Sequence, residues 1–234
     1  MLRLLFGTTN GGKLRELGRL VAGLAIEVVS PDALGVALPE VVEDGRTFRE
    51  NAEKKARAYA RVAGLHALAD DSGLCVDALR GAPGVFSARW SEDDGLSSPA
   101  CALSALGEGE LGAPLARAAR DEANNEKLLR SLSGVPAEGR GASYVAVLAL
   151  CDPSGTLLAA VEGVCRGRIG FGRRGTGGFG YDPLFIPEGL ASPGRTMAEL
   201  DPAEKDQVSH RGQAFRAIRA ALSALAFDKK GQEG

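Results

Sequence analysis

The chain has 234 residues, of which 44% are hydrophobic and 25% are charged, and its formal net charge is −2. This composition is typical of a globular protein with a substantial buried core, and the charge gives no reason to expect a nucleic acid polymer as a partner. The sequence has no run of about 18 apolar residues, so it predicts no membrane-spanning helix.

The cysteines and the amino terminus bear on the cellular compartment. Cys75, Cys101, Cys151 and Cys165 form no C-x-x-C pair, so we expect reduced structural thiols and no zinc or disulfide site. The first residues, MLRLLFG, lack the pattern of a secretory signal peptide. We therefore predict a cytoplasmic protein.

The chain begins with a pattern typical of a strand, a loop and a helix. Residues 2–6 are an apolar run that predicts a buried strand, and the loop Gly-Thr-Thr-Asn-Gly-Gly-Lys follows at 7–13. Apolar residues then recur at helical spacing at Leu14, Leu17, Val21 and Leu24. The free N–H groups at a helix amino terminus attract anions, and Lys13 adds a positive charge, so we predict that this loop binds phosphate.

The same loop has the G-x-x-x-x-G-K spacing of a P-loop, which raises an alternative function. A P-loop requires Ser or Thr after the lysine, because that hydroxyl holds a magnesium ion, and here Leu14 follows. A P-loop protein also has an apolar strand that ends in Asp, and residues 65–70 superficially offer one. A P-loop ATPase or kinase therefore stays as an alternative.

A lysine in an unusual place marks the next part of the chain. Val28 and Val29 indicate a short strand, and Thr47 with Glu50 forms a capping box that predicts a helix running to about Gly64. Lys55 falls in the middle of the apolar stripe of that helix. An inward lysine is costly unless it is paired, so Lys55 either extends its ammonium along the apolar surface to water or lines a cleft that holds an anion.

Two adjacent carboxylates follow a short apolar strand. We predict a strand over Leu65–Ala69 that ends in Asp70-Asp71-Ser72-Gly73, with 74–79 continuing it or pairing with it. The acidic pair is either a solvated turn or a site for a divalent cation, where one carboxylate abstracts a proton from water. Successive side chains of a strand point opposite ways, so we expect Asp70 and Asp71 to have different roles.

The second half of the chain mixes helical and strand patterns. Residues 91–123 are rich in Ala, Gly and Ser and show only short helix, and a helix end follows at Leu128–Leu132. Residues 143–150 and 156–165 predict a β-hairpin. A helix start is predicted at Asp201, and a final amphipathic helix is predicted by Phe215, Ile218, Leu222 and Leu225. The whole pattern predicts an α/β or α+β domain.

A glycine-rich loop and a basic cluster are further candidates for ligand binding. Residues 170–183 hold six glycines between Gly170 and Gly180, which lets the backbone approach a ligand closely. Phe179 and Tyr181 are candidates to stack on a base, and Asp182 to accept from ring N–H groups. The alternative is a mobile loop with one buried aromatic residue. Near the carboxyl terminus, Lys205, His210 and Arg211 form a predicted cationic cluster for phosphates or base oxygens.

Seven stretches in chain order together resemble the inosine/xanthosine triphosphate pyrophosphatase family, whose members hydrolyse aberrant purine nucleoside triphosphates. They are TTNGGKLREL, TFRENAEKKA, ALADDSGLCVDAL, GAPGVFSARW, GTGGFGYDPLF, TMAEL and KDQVSHRGQA. The resemblance covers nearly the whole chain and departs from the family mainly between Ser91 and Ala123, where this sequence looks longer and richer in Ala and Gly.

The resemblance implies an elongated, two-lobed α/β fold with a central mixed sheet flanked by helices and an active-site cleft between the lobes. It also implies a homodimer and dependence on Mg²⁺. We assign residues 1–227 to one pyrophosphatase domain and expect 228–234 to be a disordered tail.

The resemblance also implies a role for each site residue. Asp71 would accept the proton of the attacking water, and Asp71 with Glu43 would bind the metal, Glu40 being a close alternative to Glu43. Ser72 would touch the substrate. The residues implied at the triphosphate are Thr8, Thr9, Asn10, Gly11, Gly12, Lys13 and Lys55, and those implied around the base and the nearby phosphate are Phe179, Gly180, Tyr181, Asp182, Lys205, His210 and Arg211.

The expected activity is hydrolysis of ITP, dITP or XTP to the nucleoside monophosphate and pyrophosphate, which removes these nucleotides from the pool. Besides the P-loop alternative, a nucleotide-binding regulatory module without turnover fits the same motifs. Such a module would keep its function when Asp71 is replaced by Asn, whereas a pyrophosphatase would lose most of its hydrolysis.

Overall fold

The structure of the protein is a computed structural model that describes residues 1–8, 11–94 and 113–231. Six strands and six α-helices make up its regular structure within these ranges. The strands are β1 (Leu2–Phe6), β2 (Ile26–Val29), β3 (His66–Val76), β4 (Gly141–Cys151), β5 (Leu157–Ile169) and β6 (Phe185–Pro187). The helices are α1 (Gly11–Leu20), α2 (Pro31–Leu34), α3 (Phe48–Ala63), α4 (Ala113–Ser131), α5 (Pro202–Val208) and α6 (His210–Gly231).

The strands form one mixed sheet in the order β2-β1-β3-β4-β5-β6. β1 pairs in parallel with both β2 and β3, whereas β5 and β6 are antiparallel. β4 and β5 are joined by a tight turn in which Asp152 N donates to Thr156 O at 3.0 Å. The predicted α/β fold with a mixed sheet and the predicted hairpin are thus confirmed. In the described ranges no helix is long and apolar enough to cross a membrane.

The chain divides into two compact units. The first unit takes in Met1–Ser72, Val145–Val164 and Ser209–Gly234, and the second takes in Gly73–Tyr144 and Cys165–Val208.

In the first unit helices cover both faces of the sheet, and side chains alternate between these faces along each strand. Both faces are therefore buried. One core cluster contains Leu4, Phe6 and Leu68 with residues of α1 and α6, and the other contains Leu5, Ala67 and Ala69 with residues of α3. Each strand therefore presents successive side chains to two different helix layers, and this sorting also applies to the polar residues that follow Ala69.

The second unit has one core cluster of its own. Leu128 and Leu132 at the end of α4 pack there with Tyr144, Tyr181 and Phe185. Thus α4 packs onto residues that directly flank the glycine-rich loop.

The helix boundaries follow the predicted caps. Thr47 Oγ1 accepts from Glu50 N at 3.2 Å at the start of α3, and Gly64 ends the helix in the left-handed conformation with φ of 62°. At the start of α5, Asp201 Oδ1 accepts from Glu204 N at 2.8 Å, and Glu204 Oε2 accepts from Asp201 N at 3.1 Å. Such caps satisfy N–H groups that the helix leaves without intrahelical partners.

One prediction of local structure is wrong, and two others differ in extent. The strand predicted at 65–69 continues through Asp70-Asp71-Ser72-Gly73 to Val76 as β3, so of the two alternatives for residues 74–79 the continuation is the one observed, up to Val76. Residues 113–123, expected to hold only short helix, begin the 19-residue helix α4, and 95–112 lie outside the described residues. Helix α6 continues to Gly231, so it extends into the segment expected to be disordered.

Gly163 generates a prediction about stability. A Cβ at this position of β5 would lie 2.1 Å from His210 O and 2.5 Å from Ala214 N, and the backbone of α6 cannot move away without loss of packing. We expect Gly163→Ala to lower the free energy of unfolding by about 1–3 kcal/mol, measured by urea denaturation. The matched control is Gly18→Ala in α1, where a Cβ meets nothing within 4 Å and a gain of about 1 kcal/mol is expected. A wild-type midpoint for Gly163→Ala would contradict the close approach.

Candidate active site

The alternation of β3 sends its two consecutive aspartates to different helix layers. Asp70 shares the face of Leu68, which packs with α1 and α6, and Asp71 shares the face of Ala69, which packs with α3. Both carboxylates are buried, with 5% and 8% of their surface exposed. A buried carboxylate needs a compensating partner, and each finds one on its own side of the sheet.

Asp70 is held by cations of α1 and α6. Its Oδ2 lies 2.7 Å from Lys13 Nζ and 3.6 Å from Arg211 Nε. Burial opposes ionisation, but Lys13, Arg211 and Lys55 outweigh it and hold the pKa of Asp70 well below its usual range. Burial also lowers the pKa of Lys13. Sequence reasoning gave Asp70 no specific role, and the structure shows that it fixes the amino group of the predicted phosphate loop.

Asp71 has a different environment on the opposite face. Its Oδ1 accepts from Lys55 Nζ at 3.1 Å and its Oδ2 accepts from Asn51 Nδ2 at 3.2 Å. Burial raises the pKa of Asp71 in spite of the Lys55 charge. A carboxylate that is more basic than usual and fixed by two donors is suited to accept a proton from water.

Lys55 joins Asp71 to Glu43. Its Nζ lies 3.2 Å from Glu43 Oε1, and only 9% of the residue is exposed. Burial lowers the pKa of Lys55, but Asp71, Asp70 and Glu43 together raise it, so the ammonium stays charged. The lysine therefore does not extend to water, as the alternative interpretation required. Glu40, the other candidate for the metal, is exposed.

Asn51 is a site residue that the sequence analysis missed. It is fully buried, and besides its bond to Asp71 its Oδ1 accepts from Gly45 N at 2.8 Å. A Cβ at Gly45 would lie 2.4 Å from that oxygen, so only glycine permits the contact. A signal was present: Asn51 lies three residues after Phe48 and four before Lys55, on the inward stripe of α3, where an amide requires partners.

The loop at 7–13 differs from a P-loop in how its residues are used. Gly7 N donates to Leu68 O at 2.9 Å, and a Cβ at Gly7 would lie 2.2 Å from the Tyr59 ring, so this glycine serves packing. Gly11 and Gly12 open α1, and Lys13 lies at the helix start as predicted. Leu14 packs against the core of the first unit. Thr8 is described, whereas Thr9 and Asn10 lie outside the described residues.

The first turn of α6 contributes two more buried polar side chains. His210 and Arg211 are 6% and 5% exposed. Arg211 Nη2 donates to Ser72 Oγ at 3.4 Å, so Arg211 contacts the residues on either side of Asp71, namely Asp70 and Ser72. The first unit thus collects Lys13, Lys55 and Arg211 around the acidic stretch of β3.

The glycine-rich loop of the second unit is organised by Asp182. The Oδ2 of this buried carboxylate accepts from Phe179 N at 3.0 Å and from Lys205 Nζ at 2.6 Å, and its Oδ1 accepts from Tyr144 OH at 3.3 Å. A Cβ at Gly178 would lie 2.0 Å from the same carboxylate. Lys205 therefore belongs to the glycine-loop cluster, and both oxygens of Asp182 are engaged within the loop and its support.

The two aromatic residues of this loop have different environments. Tyr181 is 4% exposed, its OH donates to Ser87 O at 2.9 Å, and burial raises its pKa. Phe179 is partly exposed, and its ring centre lies 4.9 Å from the Arg117 guanidinium and 5.5 Å from Lys205 Nζ. Of the two, Phe179 is the one available to stack on a ligand.

The carboxylates near Lys55 fit a divalent cation. Glu43 and Asp71 both direct an oxygen to the Lys55 ammonium, at 3.2 and 3.1 Å. The two carboxylate oxygens therefore converge on one positively charged group. Among the described residues no group of three acidic, His or Cys side chains is placed to hold a metal ion. A pair of carboxylates still suits Mg²⁺, which usually binds through one or two carboxylates together with water and substrate phosphates.

The chain is similar to known proteins in sequence and in structure. The model of the Ham1 family matches residues 4–221. A relative named dITP/XTP pyrophosphatase from Anaeromyxobacter sp. (strain Fw109-5) is 65% identical over 226 residues, which cover 95% of this chain and 97% of the relative.

Two solved structures are also similar. A HAM1 protein from Coxiella burnetii is 35% identical with a TM-score of 0.75, covering 96% of this chain and 100% of that one. A nucleoside-triphosphatase / dITP/XTP pyrophosphatase from Mycobacterium abscessus is 41% identical with a TM-score of 0.66. The match covers 93% of this chain and 98% of that one.

The opposite environments of the two aspartates predict opposite effects of pH. Asp70→Asn removes the buried charge that Lys13 and Arg211 contact, so we expect a loss of about 3–5 kcal/mol of unfolding free energy at pH 6. This loss should shrink as pH falls below about 4, because the wild-type stabilisation from a depressed pKa disappears there. For Asp71, whose pKa is raised, ionisation is disfavoured by folding, so Asp71→Asn should gain stability relative to wild type as pH rises above about 4.

Urea denaturation of both variants and wild type between pH 3.5 and 6 measures these slopes. Differences from wild type that change with pH in the same direction for both variants would contradict the assignment of the two carboxylates to different environments.

Proposed function

Because the chain belongs to the Ham1 family, we propose that it hydrolyses the nonstandard purine nucleoside triphosphates ITP, dITP and XTP to the monophosphate and pyrophosphate. The observation that carries this proposal is the buried pair of Asp71 and Lys55, beside Glu43. This arrangement combines a proton acceptor, a fixed cation and a metal-binding carboxylate. The relatives named dITP/XTP pyrophosphatase supply the substrate class.

The first unit offers the groups for the triphosphate and the water. Lys13 at the amino terminus of α1 and Lys55 on α3 bind phosphate oxygens, together with Thr8, Thr9, Asn10 and the N–H groups of Gly11 and Gly12. Asp71 takes a proton from the water that attacks the α-phosphorus, and pyrophosphate leaves. Ser72 touches the substrate. Catalysis here is mainly positioning and charge stabilisation.

Mg²⁺ is the proposed cofactor, with Glu43 and Asp71 as its protein ligands. When bound, it supplies positive charge that neutralises the triphosphate and the leaving pyrophosphate. Glu43 and Asp71 would hold it, so Asp71 would serve both as a metal ligand and as the proton acceptor.

The base is assigned to residues of the glycine-rich loop and of the two carboxyl-terminal helices. Phe179 stacks on the purine, Gly180, Tyr181 and Asp182 shape the loop around it, and Lys205 adds a positive charge. His210 and Arg211 are the proposed donors to the 6-oxo group. A 6-amino group would leave such buried donors unpaired, which gives discrimination against adenine nucleotides.

The alternatives of the sequence analysis have less support. The family match and the named relatives give no support to a P-loop ATPase or kinase. Leu14, at the position where such a protein has a metal-binding hydroxyl, packs against the core. We also propose a homodimer, which the family resemblance implies. We further propose a cytoplasmic location. Among the described residues Cys75, Cys151 and Cys165 are not in disulfides, and Cys101 lies outside these residues.

A panel of nucleoside triphosphates with Mg²⁺, assayed for pyrophosphate, tests the activity. We expect ITP, dITP and XTP to give pyrophosphate as first product and ATP to react far more slowly. Asp71→Asn should lower kcat by about 100-fold or more, since the proton acceptor is lost, while ITP still binds. Orthophosphate as first product would support the P-loop alternative, and wild-type turnover by Asp71→Asn would contradict the proposed mechanism.

The choice of Glu43 over Glu40 is tested by the dependence on metal. Chelation with EDTA should abolish hydrolysis, and excess Mg²⁺ should restore it. Glu43→Gln should raise the Mg²⁺ concentration needed for half-maximal rate by about tenfold or more, as the loss of one charged ligand predicts. Glu40→Gln is the matched control, because Glu40 is exposed, and it should titrate like wild type. The reverse result would assign the metal to Glu40.

A further inference from the structure

Helix α4 binds the backbone of the glycine-rich loop at Gly180. The two side chains that make these contacts lie on one stripe of the helix. Asp121 Oδ2 accepts from Gly180 N at 2.8 Å, and Asn125 Nδ2 donates to Gly180 O at 2.9 Å. The two residues are four apart and therefore neighbours on the helix surface. They fix the peptide group before Gly180 and the peptide group after it.

The backbone of Phe179 is consequently fixed on both of its sides. Its own N–H is bound by Asp182, and the peptide that joins it to Gly180 is bound by Asp121. Gly180 has φ of 61°, a left-handed conformation that turns the chain sharply and that glycine adopts without strain. One side chain from within the loop, Asp182, and one from α4, Asp121, thus determine where the partly exposed ring of Phe179 lies.

The stripe that contains these two residues also reaches the ring itself. Arg117, four residues before Asp121, places its guanidinium 4.9 Å from the ring centre of Phe179. A cation near an aromatic face or edge is attracted by the ring, especially where water is excluded. The stripe 117, 121, 125 therefore contacts side chain and backbone of the same two loop residues.

Helix α4 is itself held in place through Asn124, the residue before Asn125, so it can support the loop. Asn124 Oδ1 accepts from Ser91 N at 2.8 Å and its Nδ2 donates to Ser87 O at 3.3 Å. The same Ser87 carbonyl accepts from Tyr181 OH at 2.9 Å. The loop, the helix and the segment around Ser87 are therefore linked in a closed set of contacts.

We propose that Asp121 and Asn125 are positioning residues for base binding, which hold Phe179 in place through Gly180. This inference rests on the proposed function, because it takes the purine as the ligand of Phe179. It also gives a role to the middle of α4, where Asp121 belongs to the segment 91–123 in which the sequence analysis found the resemblance weakest.

The decisive variant is Asp121→Leu, which keeps the approximate size of the side chain and removes the acceptor. We expect the KM for ITP to rise about tenfold, the effect of one hydrogen bond to a charged group. The kcat should stay within about twofold, because a base contact made equally in ground and transition states acts on KM alone. Inhibition by inorganic tripolyphosphate should be unchanged, since its proposed partners lie in the first unit.

Two controls separate positioning from general stability. Asp121→Asn keeps an oxygen that accepts from Gly180 N, and it should restore a KM close to wild type. Glu126→Gly weakens α4 at an exposed position beside Asn125, by about 1 kcal/mol, and should leave KM unchanged. If Glu126→Gly raises KM as much as Asp121→Leu, the effect is helix stability and the proposal is wrong.

Amide hydrogen exchange of the unliganded protein tests the clamp without any activity. Peptides that contain 179–181 should exchange faster in Asp121→Leu than in wild type and in Asp121→Asn. Unchanged exchange would overturn the proposal, and so would faster exchange with a wild-type KM for ITP. Failure of the wild-type protein to release pyrophosphate would contradict the proposed function instead, and the exchange result alone would then decide whether Asp121 holds the loop.

Discussion

The first unit depends on the burial of two consecutive carboxylates in one β-strand. A strand that passes through the middle of a sheet has no solvent to offer Asp70 or Asp71, so each must be matched by a cation from the helix layer it faces. This requirement explains why Lys13 opens α1, why Lys55 lies inside α3, and why Arg211 is in the first turn of α6. The same requirement gives the two carboxylates different proton affinities, and so only one of them is suited to accept a proton.

The second unit solves a different problem, which is to hold an irregular, glycine-rich segment in one conformation. Such a segment loses much chain entropy when it is ordered, and its backbone has few partners within itself. Here the partners come from side chains: Asp182 from within the loop, and Asp121 and Asn125 from α4. The glycines allow these close approaches, and the polar side chains select one conformation among those that glycine permits.

Patterns with local causes were predictable from the sequence, and contacts between distant segments were not. Thr47 and Glu50 define the start of α3 by their own spacing, and Lys55 was recognisable as an inward cation that needed partners. The sequence left open whether β3 continues beyond Asp70-Asp71-Ser72-Gly73, because this tetrapeptide is typical of a turn and only tertiary pairing keeps it extended. The role of Asp121 was missed for a similar reason: its partner, Gly180, lies 59 positions away.

The side-chain amide of Asn51 has a consequence for the geometry of the proposed metal ligands. It binds the carboxylate of Asp71 with its nitrogen and the backbone at Gly45, two residues after Glu43, with its oxygen. Both acidic segments are therefore located from one common reference point on α3. Lys55, one turn further along the same helix, binds both carboxylates directly, so neighbouring residues of one helix position the two proposed ligands relative to each other.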